Sequence, residues 1–292
     1  MIVSEEMLDQ GKLHIATGFT ALLRAQGLDT FKNIMERKGG ETVRSVPGRS
    51  TVKIELQWPD GAKQIAFLKR YEPEYLSNVG RLLRFIHWPG AGDEATREWR
   101  MLHALKAGGF QVAQPVASGR ESSLGIITRS FVMATEARGT PADRYLKTCP
   151  ISERQLLAVS VANLARRFHT AGFVHRDFYL AHVFVSSHES EFDLVLLDLQ
   201  RVGRPVLFRE RLRVKDLGSL AYSALKAGAS MALLMRGFKT YLAVGELRNG
   251  DKKLFRRIQR RVRWLTRRWP KHDHRFVQLG ADRDTKTRLR DK

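Results

Sequence analysis

The stretch Phe173–Val185, FVHRDFYLAHVFV, places His175, Arg176 and Asp177 consecutively between two strongly apolar runs. Burial of an ionisable group without a partner is strongly unfavourable, so these groups must be held or used. The apolar flanks can anchor a loop that presents a carboxylate to substrate on one side, as a catalytic carboxylate requires. The stretch therefore predicts a catalytic loop with Asp177 at its turn.

A second acidic residue lies at the end of an apolar segment. Residues 191–201, EFDLVLLDLQR, indicate a short buried strand that reaches polar residues at Asp198. Two aspartates, one for a proton and one for a metal ion, suit phosphoryl transfer, because Mg²⁺ bridges phosphates while a base orients the acceptor hydroxyl. An aspartate at a strand end can also simply cap a turn.

The charge balance favours an anionic partner. The 292 residues carry 51 Lys and Arg against 30 Asp and Glu, a net charge of +21. Nucleic acid, an acidic membrane surface, an acidic protein or a phosphorylated substrate would all fit this charge. The single Cys149 excludes an internal disulfide framework and fits a reducing compartment such as the cytosol. No apolar run approaches the ~18 to 20 residues of a membrane span, so we expect a soluble or peripheral protein.

Hydrophobic periodicity divides the chain into two lobes. After an N-terminal extension, residues 1–38, alternation in TVKIELQW and KQIAFLKRY predicts a hairpin, and residues 93–107 have helical spacing. Two further strand-like segments complete a β-rich lobe, residues 39–137. Residues 138–292 form a helix-rich lobe whose first helix is expected to begin with the capping-box pattern SERQ, Ser152–Gln155.

The order of these features resembles the protein-kinase-like fold, an α+β architecture with a small antiparallel β-rich N-lobe containing one helix and a larger helical C-lobe. Lys69 lies on the third strand-like segment, where kinases carry a phosphate-pairing lysine, and Glu98 on the next helix can pair with it. Taken alone, Lys69 reads as a surface strand lysine and Glu98 as part of a solvated helix face.

The resemblance implies a role for each matching residue. Asp177 takes the base position and Asp198 the metal position, while His182 stands where kinases have a second metal ligand, with a buried core histidine as the alternative. Asp216, at an expected helix start, would hold the catalytic loop together with His175 and Arg176. The residues expected to bind the nucleotide are Lys69, Glu98, Gly48, Ser50, Thr135 and Glu136.

More narrowly, HRDFYLAH, LLDLQR, RLRVKDLGSLAYSAL and ATREWRML are similar to the lipopolysaccharide core heptose kinases, the Kdo/WaaP-type family. The resemblance spans about residues 41–241. It implies Mg²⁺- and ATP-dependent phosphorylation of a heptose or Kdo-type hydroxyl on the inner core of a lipid A-linked oligosaccharide. It also implies work at the cytoplasmic face of the inner membrane of a Gram-negative-type bacterium.

Several positions depart from the ordinary protein-kinase pattern. Leu199 and Gln200 follow Asp198 in place of Phe and Gly, so a regulatory flip of this segment has little support. The glycines of GGETVRSVPGRSTVK lack the usual spacing, and phosphate contacts would fall to backbone amides near Gly48. No Ala-Pro-Glu segment is visible, which favours a small or glycan acceptor over a protein.

The C-terminal stretch KKLFRRIQRRVRWLTRRWPK predicts a basic amphipathic helix. Its apolar stripe is Leu254, Ile258, Val262, Leu265 and Trp269. We expect the helix to dock partly on the C-lobe and to turn its arginines toward an anionic membrane. The segment NVGRLLRFIHWPG, residues 78–90, is a candidate second contact, and an acidic protein is a further candidate partner.

Three other functions stay open from the sequence. The scaffold could serve another small-molecule or protein kinase, or a non-catalytic basic protein of kinase-like shape. Specific nucleic-acid binding is disfavoured, because the basic residues accompany no recognised nucleic-acid motif. The sequence also leaves open the phosphorylated sugar, the number of metal ions and the oligomeric state.

Overall fold

The computed structural model describes residues 5–72, 94–123, 126–188 and 191–268. A β-rich unit is followed by a mainly helical one, as the sequence predicts. Across these four ranges, none of the helices combines the length and the apolar character that crossing a bilayer requires.

One large antiparallel sheet forms the first unit. Its strands are β1 (Glu5–Leu8), β2 (Leu13–Ala16), β3 (Glu41–Val46), β4 (Arg49–Gln57), β5 (Lys63–Tyr71), β6 (Pro115–Ser123) and β7 (Ile126–Thr135). They lie in the order β1-β2-β6-β7-β5-β4-β3. The strand that carries Lys69 is therefore interior, between β4 and β7.

The predicted hairpin is confirmed. β4 pairs with β5 so that Thr51 lies opposite Lys69, and the alternating Val52, Ile54 and Leu56 are all buried. At the turn before β4, Gly48 has φ of +73°, a left-handed conformation that glycine adopts without strain. Alternation therefore sets which strand faces reach the core and which reach the cleft.

The described part of the expected N-terminal extension (residues 1–38), residues 5–38, contributes to this same unit. β2 pairs with β6, which adds β1 and β2 to the edge of the sheet. Two short helices, α1 (Thr20–Ala25) and α2 (Phe31–Glu36), bury Leu22, Leu23 and Ile34 in the common core. The single helix that the sequence predicts beyond this point is α3 (Glu94–Ala107), whose Trp99, Leu102 and Leu105 are buried.

The second unit combines helices with a small sheet. Its elements are β8 (Thr140–Pro141), α4 (Ala142–Thr148), α5 (Ile151–Thr170), β9 (Val183–His188), β10 (Glu191–Leu196), α6 (Arg209–Lys226), α7 (Met231–Leu242) and α8 (Asn249–Arg268). The small sheet has the order β10-β9-β8 and is antiparallel. The catalytic-loop stretch lies between α5 and β9.

Two local predictions in this unit are wrong. Pro150, and not Ser152, is the N-cap of α5, because its backbone is still extended, with ψ of 152°, and the helix begins at Ile151, which leaves Ser152 inside the first turn. Asp216 lies in the middle of α6, since that helix begins at Arg209, seven residues before it. The apolar stripe of α5 is nevertheless buried as predicted, with Leu157, Val161 and Phe168 in the core.

Helix α8 packs its apolar stripe on the helical unit. Ile258 and Leu265 are buried, and Leu254 and Val262 are partly buried against the core. The arginines of its outer face are exposed: Arg256, Arg260, Arg263, Arg267 and Arg268. Trp269 and the segment 78–90, both expected at a membrane, lie outside the described residues.

Candidate active site

Lys69 and Glu98 form an ion pair between the central sheet and α3. Nζ of Lys69 lies 2.5 Å from Oε1 of Glu98, and both side chains are largely buried. The hydroxyl of Tyr71 donates to the other carboxylate oxygen at 3.4 Å, and burial raises the pKa of Tyr71, so the phenol keeps its proton. The pair holds the lysine ammonium at a fixed position in the cleft.

The loop that carries Asp177 is anchored from below by Asp216. The fully buried Asp216 carboxylate accepts the backbone N–H groups of His175 and Arg176, each at 2.7 Å. Nε2 of His169 lies 3.3 Å from the same carboxylate. A buried carboxylate needs such donors, because without them its desolvation would be costly. The loop backbone is thus tied to the centre of α6.

His175 joins this loop to the strand that precedes Asp198. Its Nε2 lies 3.0 Å from the carbonyl oxygen of Leu197, and its ring stacks on Phe178. Burial lowers the pKa of His175, so the imidazole is neutral and donates from Nε2. The histidine thus supports the catalytic loop, through the carbonyl oxygen of Leu197.

Both acidic loops contain a residue in the left-handed region. Arg176, directly before the expected base, has φ of +69°, and Asp198 has φ of +55°. Non-glycine residues adopt this region at a cost of about 1–3 kcal/mol and keep it where the surrounding contacts impose it. Here those contacts are the Asp216 and His175 hydrogen bonds, which hold both carboxylates toward one cleft.

The carboxylate of Asp177 is surrounded by basic groups. Nη1 of Arg201 donates to both of its oxygens, at 2.9 and 3.2 Å, and Nζ of Lys215 lies 3.9 Å away. About a quarter of the Asp177 side chain, 23%, is exposed, so an acceptor can reach it. Nothing in the sequence pattern identifies Arg201 or Lys215 as partners of this residue.

His182 connects the two aspartates. Its Nδ1 lies 2.8 Å from the carbonyl oxygen of Asp177 and donates to it, so in the neutral form of the ring the lone pair is on Nε2. That Nε2 lies 3.8 Å from Oδ2 of Asp198. The three residues predicted from the sequence therefore meet in one place.

The Asp198 carboxyl is held in its ionised form. Burial, the largest influence, would by itself raise its pKa. Lys69, His182 and Arg49 act against burial, and together they lower the pKa of Asp198. Lys69 of the sheet and Asp198 of the helical unit are therefore close neighbours across the cleft.

An Mg²⁺ ion fits this donor set. Mg²⁺ prefers oxygen ligands and is usually bound by one or two carboxylates beside waters and phosphates, so the ionised Asp198 is the group that suits it best, with the imidazole of His182 as a neighbouring, softer donor. Among the described residues, no cluster of three or more His, Cys, Asp or Glu side chains could hold a metal ion without such additional ligands.

The other predicted nucleotide contacts have partners inside the protein. The amide of Thr135 donates to Gln114 and that of Glu136 to Ile65, each through the carbonyl oxygen of its partner. The Glu136 carboxylate pairs with Lys53 at 2.7 Å. A nucleotide base would therefore use other atoms of this segment.

The turn expected at the phosphates brings in one residue that the sequence analysis missed. Gly48 stands in the turn between β3 and β4, and Ser50 pairs with Ser45 and Arg70 in the sheet. Between them, Arg49 lies close enough to Asp198 to lower its pKa, and its guanidinium packs over Tyr71 at 5.2 Å. An arginine beside the glycine turn was the available signal for a phosphate-binding group.

Comparisons with known proteins cover most of the chain and point to the same family. Residues 35–241 match the model of the family described as Lipopolysaccharide kinase (Kdo/WaaP) family. The lipopolysaccharide core heptose(I) kinase WaaP of Escherichia coli K12 is 28% identical over 231 residues, which cover 75% of this chain and 83% of the relative. The protein of the same name from Pseudomonas aeruginosa is 27% identical over 225 residues, with 74% and 81% covered.

A solved structure, described as WaaP in complex with acyl carrier protein, shares the fold. It aligns with a TM-score of 0.64 and 24% identity, over 89% of this chain and 98% of the other. The predicted two-lobed, kinase-like α+β architecture is thereby confirmed.

Proposed function

The chain belongs to the lipopolysaccharide kinase (Kdo/WaaP) family, and we propose that it transfers the γ-phosphoryl group of ATP to a heptose hydroxyl of the lipopolysaccharide inner core. The protein is a phosphotransferase of the lipopolysaccharide core; the heptose, the nucleotide and the metal are the proposed details.

One observation carries the proposal. His182 lies 2.8 Å from the backbone of Asp177 and 3.8 Å from the carboxylate of Asp198, while Lys69 acts on that same carboxylate. A base, a metal ligand and a phosphate-binding cation are thus adjacent, which is the set that phosphoryl transfer needs.

Asp177 is the proposed general base. Its carboxylate takes the proton of the acceptor hydroxyl while the hydroxyl oxygen bonds to the γ-phosphorus and the bond from that phosphorus to the β,γ-bridging oxygen breaks, releasing ADP. Arg201 orients the carboxylate through its two contacts.

Lys69 and Arg49 are the proposed phosphate-binding cations, since both lie near Asp198. Asp198 and His182 would hold Mg²⁺, which would neutralise charge on the phosphates. The ion pair with Glu98 keeps Lys69 extended into the cleft, so the ammonium needs little reorganisation when the nucleotide binds.

The proposed location is the cytoplasmic face of the inner membrane, with an acidic protein as a further proposed partner. The exposed arginines of α8 support a contact with an anionic surface, at about 1 kcal/mol for each basic residue near it. Trp264, which is 42% exposed between Arg261 and Arg268, is suited to headgroup depth. A charge of +21 supports an acidic protein equally well.

Transfer of radiolabel from [γ-³²P]ATP to a heptose-containing core oligosaccharide tests the proposal. Asp177→Ala should lower the rate by at least about 10²-fold, the usual contribution of a general base. Asp60→Ala, in the exposed turn between β4 and β5, is the matched control and should match wild type. If Asp177→Ala labels the acceptor as well as wild type does, the proposal is wrong.

A further inference from the structure

One arginine of α8 turns inward, across a glycine of α6. A methyl group added at Gly218 would lie 2.4 Å from Cγ and 2.9 Å from Cβ of Arg261. The side chain of Arg261 therefore occupies the space that any other residue at position 218 would fill. Glycine inside a helix costs about 0.5–1 kcal/mol relative to alanine, and here it gives Arg261 a path over the helix.

The face of α8 that carries Arg261 also contacts the catalytic loop. Tyr179, two residues after Asp177, forms a buried cluster with Tyr222 of α6 and Leu265 of α8. Leu265 is one helical turn after Arg261, so the same face of α8 carries both residues. Helix α8 is therefore docked directly against the loop that holds the base.

Two cations contact Asp177, and Arg261 of α8 lies near them. Arg201 contacts both carboxylate oxygens and Lys215 lies 3.9 Å from one of them. Burial is the main cause of the lowered pKa values of Lys215 and Arg261, but Asp177 raises the pKa of each, and Arg201 and Arg261 both lower that of Lys215. Cζ of Arg261 lies 4.1 Å from the ring centroid of Trp264, and its Nε is buried without a hydrogen-bond partner. Positive groups therefore outnumber the single carboxylate of Asp177 on this side of the catalytic loop.

These cations are separate from those on the nucleotide side. The basic groups with the largest influence on Asp198 are Lys69, His182 and Arg49. Neither Lys215 nor Arg261 is among them, and both are instead influenced by Asp177. The cations that influence Asp177 are therefore different residues from those that influence Asp198.

We propose that Arg261, with Lys215 and Arg201, binds an oxyanion group of the acceptor, a carboxylate or a phosphate, next to the hydroxyl that is phosphorylated. This inference rests on the proposed function. Helix α8 then has two roles. Its exposed arginines face an anionic surface, and its inward Arg261 favours the binding of acidic acceptors. Charge-assisted contacts to an oxyanion supply the binding energy.

The test compares Arg261→Gln with Arg166→Gln, an exposed arginine of α5, in the full chain with Mg²⁺ and ATP. Arg261→Gln should raise the acceptor KM about tenfold and leave the ATP KM unchanged, as expected when one charge-assisted hydrogen bond to the acceptor is lost. Arg166→Gln should change neither value. Melting temperatures of both variants establish that they are folded.

Chemically altered acceptors identify the anion. For wild type, the acceptor KM should rise by the same tenfold when the carboxyl groups of the acceptor are esterified, or when its phosphates are removed. For Arg261→Gln, the altered acceptor should give no further rise in KM. Gly218→Ala, which displaces Arg261, should raise the acceptor KM as Arg261→Gln does.

An unchanged acceptor KM in Arg261→Gln, or a raised ATP KM, would overturn the anion site. Equilibrium binding of the acceptor without nucleotide separates this failure from that of the proposed function. If wild type transfers no phosphate, the kinase proposal fails, whereas weaker acceptor binding by Arg261→Gln supports the anion site and equal binding overturns it.

Discussion

Nε2 of His182 faces Oδ2 of Asp198 at 3.8 Å, on the side of the ring opposite the nitrogen that donates to the loop backbone. The loop hydrogen bond thereby fixes the tautomer, and the tautomer leaves the other nitrogen able to bind a cation. One side chain thus shapes the catalytic loop and, in the proposed function, completes the metal-binding pair.

His182→Ala should therefore raise the Mg²⁺ concentration needed for half-maximal phosphoryl transfer by at least about tenfold, the loss typical of weakened metal sites. His182→Asn should retain more activity, because its amide oxygen can replace the lost ligand. The measurement is a Mg²⁺ titration of the rate, with His14→Ala, on strand β2 between β1 and β6, as the control. Equal titration curves for all variants would contradict a ligand role.

Asp216→Ala should lower both stability and activity. It leaves the buried amides of His175 and Arg176 without acceptors, which costs about 1–3 kcal/mol for each unsatisfied group. Urea unfolding measures the loss and should give several kcal/mol in all, while Glu246→Ala, in the exposed connection between α7 and α8, stays within about 0.5 kcal/mol of wild type. An unfolding free energy equal to that of wild type would show that Asp216 does not anchor the loop.

The buried ion pair of Lys69 and Glu98 should contribute far more to catalysis than the exposed ion pair of Lys53 and Glu136. Lys69→Met should lower kcat/KM for ATP by at least about 10²-fold, because a buried cation at the phosphates is lost. Lys53→Met breaks the exposed contact with Glu136 and should change little, since surface ion pairs contribute only about 0–1 kcal/mol.

A double-mutant cycle tests whether Glu98 acts through Lys69. Glu98→Gln in the Lys69→Met background should cost much less than Glu98→Gln alone, since Glu98 acts by positioning Lys69. Additive losses in kcat/KM would show that Glu98 has an independent role.

The buried His175 should make stability depend on pH in the mildly acidic range. The pKa of His175 is lowered in the folded state, mainly by burial. Below about pH 6.5, His175 therefore binds a proton in the unfolded chain but stays neutral in the folded protein. The stability from neutral His175 is fully present above that pH. It is lost as the pH falls toward the folded pKa.

Urea unfolding of wild type and His175→Gln between pH 8 and 5 measures this dependence. The unfolding free energy of wild type should fall more steeply below pH 6.5 than that of the variant. Parallel pH profiles would show that His175 titrates alike in both states.

Much of the site could be predicted because its signals are local. The alternation of β4 and β5 determines which face Lys69 occupies, and the apolar runs around Asp177 and Asp198 indicate carboxylates at the ends of buried segments. The two wrong local predictions concern helix beginnings. Pro150 and not Ser152 caps α5, and α6 begins well before Asp216, because capping depends on backbone geometry that residue type alone does not fix.

The sequence by itself determined the order and the kinds of the reactive groups, since each one is tied to a periodic segment of a few residues. Only the tertiary structure decided their partners: Arg201 on Asp177, the backbone of the loop on Asp216, and Arg261 across Gly218. These contacts join residues that are 24 to 43 positions apart in the chain, and packing of helices and loops brings them together. Hydrophobic patterns specify which face of a helix is buried, but not which charged neighbour it will meet.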